Sequence, residues 1–290
     1  MRILFLRPLC IALLVCLAMV GLRAVVFTYT QANYAAAHGH PVVVFGDSHA
    51  DDVPLPGAPR FNSEAQDLLS TYLHMRAFHR ARTTSDSTHT VVLTIWPHKF
   101  GPLAERRLSG RLQADSWGRK SLGLSAPAFG LSDLAVGAWP VLLRWRFLLN
   151  AAQLKQVRSK RRYVPLQPCV PSDYRYQIGA QYKERSWFRE ATVSRSAFAR
   201  ILALVEEAGW NLVLLEHPIY GRYFQSLQPQ AAADYDAAMR AAAASPSVTY
   251  LALGRDSLPH TAFNDFHHLT AAGGDYVRSR LLPVLEGLAP

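Results

Sequence analysis

Cysteine is scarce in this sequence: three residues among 290, at Cys10, Cys16 and Cys169. The first two lie in an apolar N-terminal run, so Cys169 stands alone in the remainder. An intrachain disulfide framework and a zinc-finger spacing are both excluded. Acidic residues are in deficit, 21 against 31 lysines and arginines, for a formal net charge of +10. That balance suits an anionic partner, such as a phospholipid surface, an acidic polysaccharide or nucleic acid, and chooses none of them. The chain has no internal repeat and no glycine-rich loop of the phosphate-cradling kind. Its composition, 50% hydrophobic and 18% charged, is that of neither a disordered chain nor a repeat array. A chain of this length buries one sizeable core, with room for a small second lobe.

The apolar residues are concentrated first at the N-terminus. Arg2 and Arg7 precede an unbroken apolar run from Leu9 to Leu22, interrupted by Arg23 and followed by Ala24-Val25-Val26-Phe27. The run is short against the roughly 20 residues that a membrane span needs. With Ile3–Leu6 and Val25–Phe27 added, and the arginines snorkelling, it reaches that length. No small-x-small cleavage site follows Leu22 closely, which favours an uncleaved membrane anchor over a cleaved signal peptide for residues 1–27. Either reading puts the rest of the chain outside the cytoplasm. The basic flank before the run predicts an inner-membrane anchor with a periplasmic or extracellular domain, or a secreted protein if the segment is removed. Export argues against nucleic acid as a partner. Residues 28–40 read as a spacer.

From residue 41 onward, short β-branched runs alternate with segments of helical spacing. Pro41–Phe45 predicts a buried strand that stops in the turn Gly46-Asp47-Ser48. Glu64 to Phe78 has helical spacing, with Asn62 or Ser63 as a fitting N-cap. Further strands are expected at Thr90–Ile95, Asn211–Glu216 and Val248–Leu253. Further helices are expected at Val193–Ala208, Ala231–Ala244 and Ala272–Leu282, the last ended by Pro283. Residues 101–190, rich in Gly, Pro, Arg and Trp, read as an insertion with one helix over Val136–Leu154. Its basic run, Lys155, Arg158, Lys160, Arg161 and Arg162, reads as a solvated face, or else a contact for a membrane or an acidic glycan. Alternation of this kind predicts an α/β domain over 41–290 with a parallel sheet and helices on both faces. Ligands of such sheets gather beyond the carboxyl ends of the strands.

Two segments carry residue types suited to acyl chemistry. Ser48 follows a strand end and a glycine turn, which expose its hydroxyl and bring a backbone N–H close to it. In Asn264-Asp265-Phe266-His267-His268, an aspartate three residues before a histidine can fold back onto one imidazole nitrogen. The other nitrogen is then free to face a serine. His267 is the rival base, and the spacing favours His268. Other polar residues stand at predicted strand exits. His98 reads either as a substrate contact or as a solvated loop residue, and His217 either as a cleft residue, with Tyr220 beside it, or as a structural histidine. His267, His268 and Asp265 invite a metal, but no fourth ligand is evident, so neither metal nor cofactor is expected.

Val42-Val43-Val44-Phe45-Gly46-Asp47-Ser48-His49 near the start, and Asp265-x-x-His268-Leu269-Thr270-x-x-Gly273 near the end, together resemble the first and last blocks of the SGNH/GDSL hydrolases. The resemblance implies a three-layer α/β/α domain of flavodoxin-like type and an ester-cleaving or acyl-moving serine site. On it, Ser48 is the nucleophile, His268 the base and Asp265 its partner. Gly46 lies at the oxyanion turn, and Asn62, in a Phe-Asn segment like that of secreted bacterial relatives, is the candidate oxyanion donor. The family's usual Gly-x-Asn-Asp block is missing, and Trp96-Pro97-His98 stands in its place. The expected function is a membrane-anchored esterase or O-acyltransferase (a hydrolase of the SGNH type) acting on an acylated glycan, as in polysaccharide modification. The alternatives are a non-catalytic glycan-binding or scaffolding member, favoured by the missing block, and a lipase or phospholipase at the membrane.

Overall fold

The computed structural model of the protein describes Leu14 and residues 32–62, 66–82, 86–102, 104–105, 187–220, 227–265 and 267–289. The apolar N-terminal run (Leu14 apart), the helix expected over Val136–Leu154 and the basic run at 155–162 lie outside the described residues. Among the described residues, no helix is long and apolar enough to cross a membrane.

Five strands form one parallel sheet in the order β2-β1-β3-β4-β5. They are β1 (Val42–Gly46), β2 (Arg60–Asn62), β3 (Thr90–Ile95), β4 (Asn211–Glu216) and β5 (Val248–Ala252). That order is the one found in flavodoxin-like sheets, with its reversal of direction between β1 and β3. Among the described residues, the helices that flank the sheet include α1 (Leu68–Arg80), the short α2 (Trp187–Glu190), α3 (Thr192–Ala208), α4 (Pro229–Ala242) and α5 (Ala271–Gly287). The protein is therefore an α/β domain with an all-parallel sheet flanked by helices.

The strands read as continuous apolar runs because both faces of the sheet are covered. Alternate residues go to opposite sides. Val43, Phe45, Val91, Leu93, Leu212 and Leu214 join the larger core with α1, α3 and α4. Val44, Val92, Val213 and Leu215 join a second core that includes Val277 and Leu281 of α5. In α3 the buried positions Ala197, Phe198, Ile201, Leu204, Val205 and Ala208 make one stripe, and Gly209 ends the helix in the left-handed conformation at φ 68°.

Several boundaries differ from expectation, each for a physical reason. The strand β2 had no sequence signal, because it is a three-residue edge strand with an exposed arginine. Asn62 ends that strand, and α1 is capped instead by Asp67, whose carboxylate accepts the Ser70 N–H at 2.7 Å. Helix α5 does not stop at Pro283 but runs to Gly287. The proline removes one N–H from the ladder, yet Leu282, Val284, Leu285 and Leu288 pack against the second core and carry the chain across it. The stretch read as a spacer is part of the fold where it is described: residues 32–37 are helical, and Tyr34, Ala37 and His38 are buried. Tyr34 packs edge-on against Phe61 at 4.8 Å and hydrogen-bonds His74, closing the core beside β2.

Candidate active site

The polar residues singled out in the sequence collect at the carboxyl ends of β1, β3 and β4, on turns whose geometry follows from local packing. At the end of β1, a Cβ on Gly46 would lie 1.9 Å from Thr94 Oγ1, so only glycine fits against β3. The chain then turns into a 3-10 segment, Ser48–Asp52, capped by Asp47, whose carboxylate accepts the His49 N–H at 3.1 Å. Ser48 stands at the first position of this turn, partly exposed.

The loop between β5 and α5 is held by its own backbone. Phe263 and Leu269 form an antiparallel bridge, the Asn264 N–H donates to His268 O at 2.8 Å, and the Asn264 side chain donates to Leu269 O at 2.7 Å. Within it, Asp265 Oδ1 accepts the N–H groups of His267 and His268 at 2.9 and 2.7 Å. Gly273 lets α5 approach this loop: a Cβ there would meet Ala262 O at 2.3 Å and the Leu269 side chain at 2.9 Å.

The two turns meet. His268 Nε2 lies 2.9 Å from Ser48 Oγ, and His268 Nδ1 lies 2.7 Å from Asp265 Oδ2. Burial works against the charged imidazole of His268, but the hydrogen bond and charge of Asp265 outweigh it, and the ring is held above the ordinary histidine value. Asp265 is itself raised by burial, and more strongly lowered by the His268 hydrogen bond and the neighbouring histidines, so it lies well below the usual carboxylate range. A serine, a basic imidazole and a fixed carboxylate in one line can take up and return a proton at the serine oxygen.

The other expected residues are placed unevenly. Asn62 lies level with Gly46 across the β1–β2 pair and hydrogen-bonds the carboxylate of Asp51, on the Ser48 turn. His98 follows β3 in a 3-10 turn, its ring 3.5 Å from that of Trp96 and 6.4 Å from that of His49. His217 is fully buried and packs edge-on to His49 at 4.8 Å, so it belongs to the floor of the cluster rather than to an open cleft. Its Nδ1–H donates to Pro218 O at 3.0 Å, and burial holds the ring well below the ordinary histidine value.

Residues with no assigned role in the sequence reading tie the site together. Asp47 and Lys99 form a buried ion pair at 2.7 Å, each side chain 2% exposed. Asp47 also accepts from the Trp96 indole N–H at 3.4 Å and meets His49 Nδ1 at 2.7 Å, while Lys99 donates to Gln66 O. Trp96 and Lys99 flank Pro97-His98, so the segment standing where a Gly-x-Asn-Asp block was expected serves Asp47. At the far end of the Ser48 turn, Asp52 Oδ2 accepts the Leu269 N–H at 3.1 Å and lies 3.7 Å from His217 Nε2. Burial pushes the Asp52 carboxyl up to about 7. Asp52 is thus the strap that joins the serine turn to the histidine loop. Its only sequence signal was its place in the turn, four residues after Ser48.

A scan against protein-family models finds no match, and no curated protein matches the chain.

Proposed function

We propose that the chain is a serine esterase or O-acyltransferase of the SGNH/GDSL hydrolase kind. One observation carries the reading: the unbroken line Ser48 Oγ to His268 Nε2 at 2.9 Å and His268 Nδ1 to Asp265 at 2.7 Å, at the carboxyl edge of a parallel sheet.

In this mechanism Ser48 Oγ attacks the acyl carbonyl of an ester while His268 Nε2 takes its proton. Asp265 keeps the proton on Nδ1 and stabilises the imidazolium, without itself being protonated. The oxyanion of the tetrahedral intermediate is held by the backbone N–H of Ser48, at the first position of its turn, and by the Asn62 amide once that amide leaves Asp51. Collapse releases the alcohol, which receives the proton from His268, and leaves an acyl-Ser48 ester. Water activated by His268 then completes hydrolysis, or a sugar hydroxyl completes transfer. The substrate class we assign is an acylated extracytoplasmic glycan. The apolar N-terminal run supports a membrane-anchored or exported protein, and the net charge of +10 suits an acidic polymer.

The test is fluorophosphonate labelling of the purified full-length protein, with Ser48→Ala and His268→Ala alongside. Labelling of the wild type and its loss in both variants is expected. Folded wild type that takes no label overturns the acyl-serine reading and transfers the assignment to glycan binding or scaffolding by the same fold.

A further inference from the structure

The histidine pair near the end of the chain has a third neighbour from the beginning. One ring nitrogen from each of His49, His267 and His268 lies within 4.8 Å of the other two. His49 Nδ1 is engaged by Asp47, which leaves Nε2, and that atom is buried without a hydrogen-bond partner. A buried polar atom in this condition asks for an explanation, and an ion is one of the few available. The His49 ring stacks on His268 at 5.1 Å and 12°, and His267 lies 4.0 Å from His268, ring to ring.

Two of these imidazoles are built as metal ligands are. Each has a carboxylate behind its far nitrogen, Asp47 on His49 and Asp265 on His268, both at 2.7 Å. That backing sets the tautomer, fixes the ring and raises the basicity of the ligating nitrogen. Imidazole donors suit zinc, copper or nickel rather than magnesium or calcium. Zinc–nitrogen bonds of roughly 2.1 Å bring ligand atoms within about 4 Å of one another, so the nitrogens must draw together and the nearly parallel rings of His49 and His268 must turn to aim at one point. The ammonium of Lys99, the nearby charge of the wrong sign, is already paired with Asp47.

We propose that His49, His267 and His268 form a binding site for a divalent cation of the zinc kind, and that the bound cation takes the Nε2 lone pair of His268 away from Ser48. Its effect on reactivity rests on the acyl-serine reading; its existence does not. No covalent bond changes: Ser48 keeps its proton, the cation exchanges a water for imidazole, and removal of the metal restores the base.

The experiment is titration of chelator-stripped full-length protein with zinc chloride against a chromophoric chelator, with cobalt(II) absorption as the record of nitrogen ligation. One equivalent is expected to bind the wild type and Ser48→Ala alike. His49→Gln and His267→Gln are expected to bind at least tenfold more weakly, in line with the roughly 10–100-fold effects of disturbing metal-site residues. Should the buried His49→Gln fail to fold, His267→Gln, on the partly exposed loop, decides the matter. No uptake by wild type, or wild-type affinity in the folded variants, overturns the site. Binding by Ser48→Ala is read without acyl chemistry, so the cation site and the acyl-serine assignment can fail separately. In wild type, saturating zinc is expected to slow fluorophosphonate labelling at least tenfold. Undiminished labelling would refute the masking of His268.

Discussion

The site holds two aspartate–histidine pairs of the same length, and they behave in opposite ways. Asp47 meets His49 Nδ1 at 2.7 Å, and Asp265 meets His268 Nδ1 at 2.7 Å. The first pair is sealed, each side chain 2% exposed, and beside it sits Lys99. Burial and the positive charges nearby overcome Asp47, and His49 is held below the ordinary histidine value. The second pair is open to 14% and 18%, and there the carboxylate prevails over burial, raising His268. A hydrogen bond to a carboxylate therefore does not make a histidine a base. Solvent access and the next charge decide whether it does. The inner pair is closed to solvent, and the outer pair is the one within hydrogen-bonding distance of Ser48.

Removing the carboxylate from each pair should break the comparison in different currencies. Asp265→Asn is expected to lower the fluorophosphonate labelling rate by about 10⁴-fold, because the imidazole loses its tautomer and its counter-charge. Its pH profile sharpens the point. In the proposed mechanism neutral His268 is the base, so wild-type labelling should fall as pH drops through a value above the ordinary histidine one, and Asp265→Asn should move that limb downward. The linked stability has the opposite sense: it is fully present below the unfolded histidine value and is lost as pH rises through the raised one. By contrast, Asp47→Asn leaves the Lys99 ammonium buried and unpaired, so its main cost should appear in denaturant unfolding, at about 3–5 kcal/mol.

A smaller effect is expected at the strap between the two turns. The carboxyl of Asp52 is raised to about 7 by burial, against which the Leu269 N–H works. A raised carboxyl holds its proton better in the folded than in the unfolded chain, so stability should fall as pH rises from the ordinary carboxylate range through 7. Asp52→Asn keeps an acceptor for Leu269 and removes that ionisation. Unfolding midpoints between pH 5 and 8 should flatten in the variant, recovering about 2 kcal/mol at the alkaline end. A midpoint with the same slope in both proteins would deny Asp52 this role.

Much of the fold was legible because its strands are buried on both faces. Runs such as Pro41–Phe45, Thr90–Ile95 and Asn211–Glu216 announce themselves by β-branched and aliphatic content, and each holds a strand. What was illegible depended on neighbours distant in the chain. The strand β2 exists because β1 offers an edge, and α5 passes Pro283 because a core lies beneath it. In the site, the spacing of Asp265 and His268 could be read, since both lie on one short loop, and with Ser48 they now stand within hydrogen-bonding distance. The pairing of Asp47 with Lys99 could not, because nothing in either residue's own segment says that both ends will be dry. Asp52 escaped for the same reason, and so did the meeting of His49 with His267.

The fit of Gly46 against Thr94 couples these two positions. The space that a methyl at 46 requires is the space the Thr94 hydroxyl occupies, with the Thr94 Cβ and the Ala50 methyl close behind at 3.1 and 3.3 Å. Any lineage that enlarges residue 46 must first shrink residue 94, and the reverse order passes through a chain whose first and third strands no longer close. The turn bearing Ser48 can thus drift only along a path whose steps come in one sequence.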